Sequence, residues 1–216
     1  RTLYEDGSWN TLCLPFDISE ADLNTKLLNP SGLKTLSASS FNSKTGTLTL
    51  TFADATSIEA GKPYLIKWSG SSSSNRTNPI FDYVTISDTY NDVTTDYVDF
   101  IGSFSPISLE ANDRSVLYLG ANNTLYYPSA AMTVGSCRAV FSLNGITAGD
   151  LPNQPRSIVL NFGDGEETTS INEELRMKNE ESATATGWYD LQGHRLSGKP
   201  TKSGIYINNG KKVAIK

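Results

Sequence analysis

Apolar and polar residues alternate with a period of two through most of the chain. In Thr47-Leu48-Thr49-Leu50-Thr51-Phe52, three apolar side chains fall on one face and three threonines on the other, the pattern of a half-buried strand. Similar runs occur at 9–16, 64–68, 83–86, 97–104, 116–119, 125–127, 132–143 and 157–162. Turn-forming clusters punctuate them, among them Asn42-Ser43-Lys44-Thr45-Gly46, Gly120-Ala121-Asn122-Asn123 and Asn144-Gly145. Many brief strands with frequent turns predict an all-β fold, an antiparallel β-sandwich of jelly-roll-like or Greek-key type.

One helix interrupts the pattern. Ser19 caps it, Asp22 stands three residues later, Leu23 and Leu27 share a face, and Pro30 and Gly32 stop it. About ten residues is too short to be stable alone, so the helix must pack on a sheet. The serine-rich stretch 69–78 offers nothing to bury and reads as a surface loop.

Past Phe162 the composition changes. The reading is a β-sandwich domain over 1–164, a polar connector with one possible strand over 165–186, and a small β module over 187–216. In that last segment Asn209-Gly210 lies between two alternating runs, the strongest short hairpin signal, because both residues accept positive φ. Ile205 and Ile207 on one arm with Val213 and Ile215 on the other give the hairpin one apolar face. Gln192-Gly193 predicts a turn after a strand at 188–191, making three short strands in all. They bury too little to stand alone.

Composition narrows the function classes. The 216 residues carry 18 basic and 23 acidic side chains, a formal charge of -5. That balance lacks the basic footprint of a nucleic-acid binder and disfavours adhesion to anionic membranes. No run of eighteen apolar residues exists to span a bilayer as a helix. Two cysteines and one histidine cannot build a four-ligand zinc site of nitrogen and sulfur. Charged residues reach only 19%, ordinary for a secreted β protein. The chain starts at Arg1 without methionine or leader, as expected of a processed product or an excised fragment.

Cys13 and Cys137 admit two readings, one disulfide or two small buried hydrophobes. Strand alternation places Cys13 opposite the face of Leu12, Leu14 and Phe16, and Cys137 with Ala139, Phe141 and Leu143. That favours the second reading.

Catalytic constellations are sparse. His194 is the only histidine, sits in a turn, and has no Gly-x-Ser-x-Gly partner. Both cysteines fall within predicted strands, away from an activating helix terminus. Paired carboxylates for glycoside hydrolysis have candidates in Asp82, Asp88, Asp92, Asp96 and Asp99. Asp88, Asp92 and Asp96 also suit calcium chemically, though their spacing is not that of an EF-hand loop. Aromatic residues are the remaining handle, with Tyr126 and Tyr127 adjacent on a strand and Tyr90 and Tyr97 flanking the acidic loop. Exposed tyrosines can stack on sugar rings. An outward strand tyrosine more often joins a cross-strand pair. Asn75-Arg76-Thr77 and Asn122-Asn123-Thr124 match glycosylation acceptors and read as turn chemistry.

The terminal segment resembles the C-terminal sorting domains of the type IX secretion system of Bacteroidota. Their ends read Tyr-Asp-Leu-x-Gly-x-x-Leu, then Gly-Ile-Tyr-Ile, then a basic strand. The matching residues are Tyr189, Asp190, Leu191, Gly193, Leu196, Gly204, Ile205, Tyr206 and Ile207. The main body is similar to a recurrent domain of Bacteroides and Prevotella surface proteins. The similarity lies in Arg1-Thr2-Leu3 with 9–16, in 60–67 and in 137–141. The resemblance implies a secreted or outer-membrane cell-surface protein without catalytic residues. Its partner would be an extracellular protein or a glycan, with the secretion machinery engaged through the C-terminal segment. Three functions follow in order: a non-catalytic interaction or adhesion module, a carbohydrate-binding module, and a carboxylate-dependent glycoside hydrolase.

Overall fold

The computed structural model describes residues 1–70, 75–149, 154–163, 166–170, 188–189, 195–196, 204–208 and 211–215. It divides into two units, Arg1–Ile171 and Asn172–Lys216.

In the first unit the elements are β1 (Thr2–Leu3), β2 (Asn10–Cys13), α1 (Glu20–Lys26), β3 (Gly32–Asn42), β4 (Thr47–Asp54), β5 (Pro63–Lys67), β6 (Arg76–Thr77) and β7 (Val93–Thr94). They continue with β8 (Val98–Ser103), β9 (Ile107–Leu109), β10 (Val116–Leu119), β11 (Leu125–Tyr126), β12 (Met132–Val134), β13 (Arg138–Leu143), β14 (Ser157–Asn161) and β15 (Glu166–Ser170). Two large sheets form the β-sandwich, one in the order β15-β14-β4-β3-β5-β2 and the other β11-β10-β13-β8-β7. Pairing is antiparallel except between β14 and β4, which run parallel. Nine strands separate those two in sequence, which leaves chain enough for the long crossover that a parallel pair requires.

The alternation in β4 does what its spacing dictates. Leu48, Leu50 and Phe52 are buried, and Leu48 and Leu50 lie beside Ile158 and Leu160 of β14. On the opposing sheet, Phe141 of β13 stacks on its register partner Phe100 of β8, with centroids 4.4 Å apart. Phe52 meets Phe141 edge-on across the interlayer space and stacks on Phe162, which in turn stacks on Trp9. A continuous aromatic chain therefore ties both sheets together.

Several expectations are corrected. Residues 83–86 form no strand: Tyr83 takes φ 60°, and Val84 packs against the cluster of Leu12, Leu14 and Phe16. The single strand expected over 132–143 is two, β12 and β13, broken at Cys137, whose φ is 55°. β12 pairs with β9 in a separate small sheet. β3 arises where little alternation is visible, because a bulge between Leu36 and Ala38 shifts its phase. Lys34 on β3 is buried, its Nζ donating to Asp54 Oδ1 at 2.6 Å and to the Phe162 carbonyl at 2.8 Å. β15 takes up part of the expected connector and pairs along β14, so the first unit runs to Ile171. The possible strand at 171–177 lies outside the described residues.

Both cysteines are free. Cys13 faces the interlayer space against Gly102, opposite Leu12 and Leu14 as its alternation requires. Burial pushes its thiol up to about 12, so it stays protonated at neutral pH. Cys137 packs at the edge of the cluster containing Leu12 and Leu14 rather than with Phe141, because positive φ turns it off the β13 alternation.

In the second unit, β16 (Trp188–Tyr189), β17 (Arg195–Leu196), β18 (Gly204–Asn208) and β19 (Lys211–Ile215) form one sheet in the order β17-β16-β18-β19. Among the described residues this sheet has four strands, where the sequence reading expected three. β18 and β19 pair antiparallel with Asn208 opposite Lys211, the register of a two-residue hairpin. Of the sorting-like residues, Tyr189, Leu196, Gly204, Ile205, Tyr206 and Ile207 fall on these strands. Asp190, Leu191, Gly193, His194 and the Asn209-Gly210 turn lie outside the described residues.

Candidate functional site

The outer face of the β2–β5 end of the larger sheet is covered by α1 and by an irregular segment, 78–86. Ser19 caps α1: its Oγ accepts from the Asp22 N–H at 3.2 Å and donates to Asp22 Oδ2 at 2.8 Å. The helix buries Leu23 and Leu27 against Leu12, Leu14, Ile66 and Trp68. Trp68 Nε1 donates to the Leu27 carbonyl at 2.7 Å, satisfying one of the orphan groups at the helix end.

Both ends of the irregular segment are tied down. Before it, β6 pairs with β1, reinforced by an Arg76–Glu5 ion pair of 2.5 Å with Glu5 buried. After it, the Ser87 N–H donates to the Pro15 carbonyl at 2.7 Å and the Asn91 N–H to the Gly61 carbonyl at 3.0 Å. Between these anchors Phe81 packs on Phe16, and Val84 joins the same cluster. Ile80 (76% exposed), Ile86 (65%) and Tyr83 are open to solvent, Ile86 also lining the cavity described next.

The covering leaves an apolar cavity of about 410 Å³, walled chiefly by Leu12, Leu14, Phe16, Leu27, Phe81 and Val84. Its polar lining members are Arg1 and Asn78, with the Cys137 thiol beside them. The Arg1 guanidinium donates to the carbonyls of Thr11 and Cys137, while its buried Nε has no hydrogen-bond acceptor. Burial and the neighbouring Arg138 charge push it down to about 9, so it remains charged at pH 7. Beside this cavity lies a polar cleft of about 220 Å³ that shares Phe81 and Val84 and brings together Asp17, Asp22, Lys26, Asp82 and Tyr83. Its carboxylates are engaged: Asp17 accepts from the Ala60 N–H, Asp22 serves the cap, and Asp82 pairs with Lys26 at 3.6 Å.

The four tyrosines singled out by sequence do not converge. Tyr127 is buried beneath the Arg114 guanidinium. Tyr126 pairs across strands with Tyr118 and covers Gly120, so it joins the cross-strand pair that sequence preferred. Tyr97 meets Phe41 edge-on, and Tyr90 stacks on Phe104. None of them lines either cavity.

Two of the acidic side chains singled out by sequence, Asp92 and Asp99, accept hydrogen bonds within the fold. Asp92 Oδ1 accepts from the Gly102 N–H at 2.8 Å, and Asp99 Oδ1 accepts from Asn144 at 2.9 Å. Among the described residues no group of three or more His, Cys, Asp or Glu side chains is placed to hold a metal ion. No described helix is long and apolar enough to cross a membrane. Asn122 and Asn123 take positive φ, the turn chemistry expected of them.

Sequence reading missed the cavity. A signal was present in 79–86, where apolar residues fall on both parities, so no single strand face can bury them all. No protein-family model matches this chain, and no curated protein or solved structure is similar enough to count as a match.

Proposed function

We propose that the chain is an exported, non-catalytic recognition module, displayed at the surface of a Bacteroidota-type cell, that engages an extracellular partner through the face formed by α1 and residues 79–86. One observation carries the reading. Of the six large hydrophobic side chains exposed among the described residues, three, Ile80, Tyr83 and Ile86, fall within 80–86. Scattered exposed apolar residues need no explanation, whereas a cluster beside an apolar cavity marks an interaction site. The sorting-like resemblance of 189–207 supports the address. It also suggests contact with secretion machinery.

A second reading, glycan capture, is favoured by the polar cleft, where exposed Tyr83 stands next to Asp17, Asp22, Lys26 and Asp82. An aromatic face flanked by hydrogen-bonding groups is the arrangement sugar rings require. One experiment separates the two. Beads carrying the full chain are applied to intact host and bacterial cells and to a printed glycan array. The first reading predicts cell adhesion without array signal, and about a tenfold loss in the Ile80→Asp, Ile86→Asp double variant, the size of effect expected when apolar interface anchors are lost. An array signal abolished by Tyr83→Ala transfers the function to the cleft. Adhesion unchanged in the double variant defeats the first reading.

A further inference from the structure

The apolar cavity has features that narrow its ligand. Its volume of about 410 Å³ lies within the range of small-molecule sites, and its wall is almost entirely aliphatic and aromatic. Such a lining gives sugars nothing to hydrogen-bond and suits an alkyl chain. At one side stands Arg1. A guanidinium has five N–H donors, and two protein carbonyls occupy only part of that capacity. Its Nε is buried and without an acceptor. Carbonyls do not neutralise the charge, and no carboxylate among the described residues pairs with Arg1 or with the nearby Arg138. A cation set in an apolar wall without a counter-ion is costly, and an anion placed there recovers the loss.

We propose that this cavity binds an amphiphile with a single negative head group, a medium-length alkyl carboxylate. Its chain lies along Leu14, Phe16 and Leu27 and its carboxylate is held by Arg1, with Asn78 offering a further hydrogen-bonding group. The inference deepens the recognition reading of the same face and rests on it. Val84 lines the cavity from the irregular segment, so a larger side chain there takes up space inside it.

The test uses the full chain and a polyene fatty acid whose fluorescence rises in apolar surroundings. The expected result is saturable binding, with displacement by decanoate about tenfold more effective than by decanol or decyltrimethylammonium, as a charge-assisted contact implies. Val84→Trp should abolish probe binding. Arg1→Gln should bring decanoate down to the level of decanol while leaving decanol unchanged, and Arg1→Lys should keep part of the preference. Absence of probe binding to the wild-type chain, equal displacement by all three head groups, or full binding in Val84→Trp would overturn the proposal. Near-ultraviolet circular dichroism of each variant shows whether it is folded. If the carboxylate fails while adhesion still depends on Ile80 and Ile86, the ligand class is wrong and the recognition face stands. If both fail, the face itself is not the site.

Discussion

Phe141→Ala is expected to lower the unfolding free energy by about 3–5 kcal/mol, the usual cost of removing a large aromatic side chain from a packed core. The ring is 1% exposed, stacks on Phe100 within its own sheet and meets Phe52 of the other sheet edge-on. Its loss therefore breaks the aromatic chain at the point where it crosses between layers. The neighbours on either side belong to different sheets and cannot close the gap without moving one layer against the other. Urea denaturation of the variant, read by tryptophan fluorescence, measures the loss. A change below about 1 kcal/mol, the size of an ordinary surface substitution, would mean that the two sheets are not packed through this ring.

The second large effect is expected at Gly61. Its φ is 75°, and a Cβ built there would stand 2.1 Å from the Thr89 carbonyl oxygen. Ala at this position meets both the left-handed backbone penalty and a backbone clash, together about 2–4 kcal/mol. The consequence is directional. Gly61 accepts from the Asn91 N–H, and its own N–H donates to the Leu14 carbonyl. Relief of the clash pushes 87–91 away and loosens the Ser87–Pro15 anchor that holds the end of the cavity wall. Limited proteolysis of Gly61→Ala should therefore cut within 79–91 at protease levels that leave the wild-type chain intact. Cleavage confined to other segments would contradict the anchoring role.

The fold was legible where local chemistry and burial agreed. Strand β4 and helix α1 with its Ser19 cap needed only periodicity and a capping residue, and both lie where sequence put them. The C-terminal hairpin pairing also followed from the Asn-Gly signal. The misses share a cause, in that tertiary context changed the meaning of a local pattern. In β3, a bulge at Ser37 and the buried, ion-paired Lys34 erase the alternation. At Cys137 one residue of positive φ sends β12 and β13 to different sheets, which no period-two reading shows. Residues 83–86 alternate well enough to suggest a strand, yet Tyr83 takes positive φ and Val84 packs into the cluster of Leu12, Leu14 and Phe16 instead of extending a sheet.

The same holds for the candidate site. Tyr126, Tyr127, Tyr90 and Tyr97 were conspicuous by residue type, but aromatic identity alone does not say which neighbour a ring covers. Arg114, Tyr118, Phe104 and Phe41 take them up. The cavity is assembled from β2, α1 and a segment some sixty residues downstream, a juxtaposition only the fold creates. The apolar excess of 79–86 was its one local trace.

The face itself is tested most directly by carbene footprinting of the full chain bound to intact cells, compared with the same chain free in solution. Labelling at Ile80, Tyr83 and Ile86 should fall sharply on binding while that at the cross-strand pair Tyr118 and Tyr126 stays unchanged. Protection that appears around Tyr118 and Tyr126, with 80–86 labelled as before, would show that recognition happens elsewhere on the sandwich.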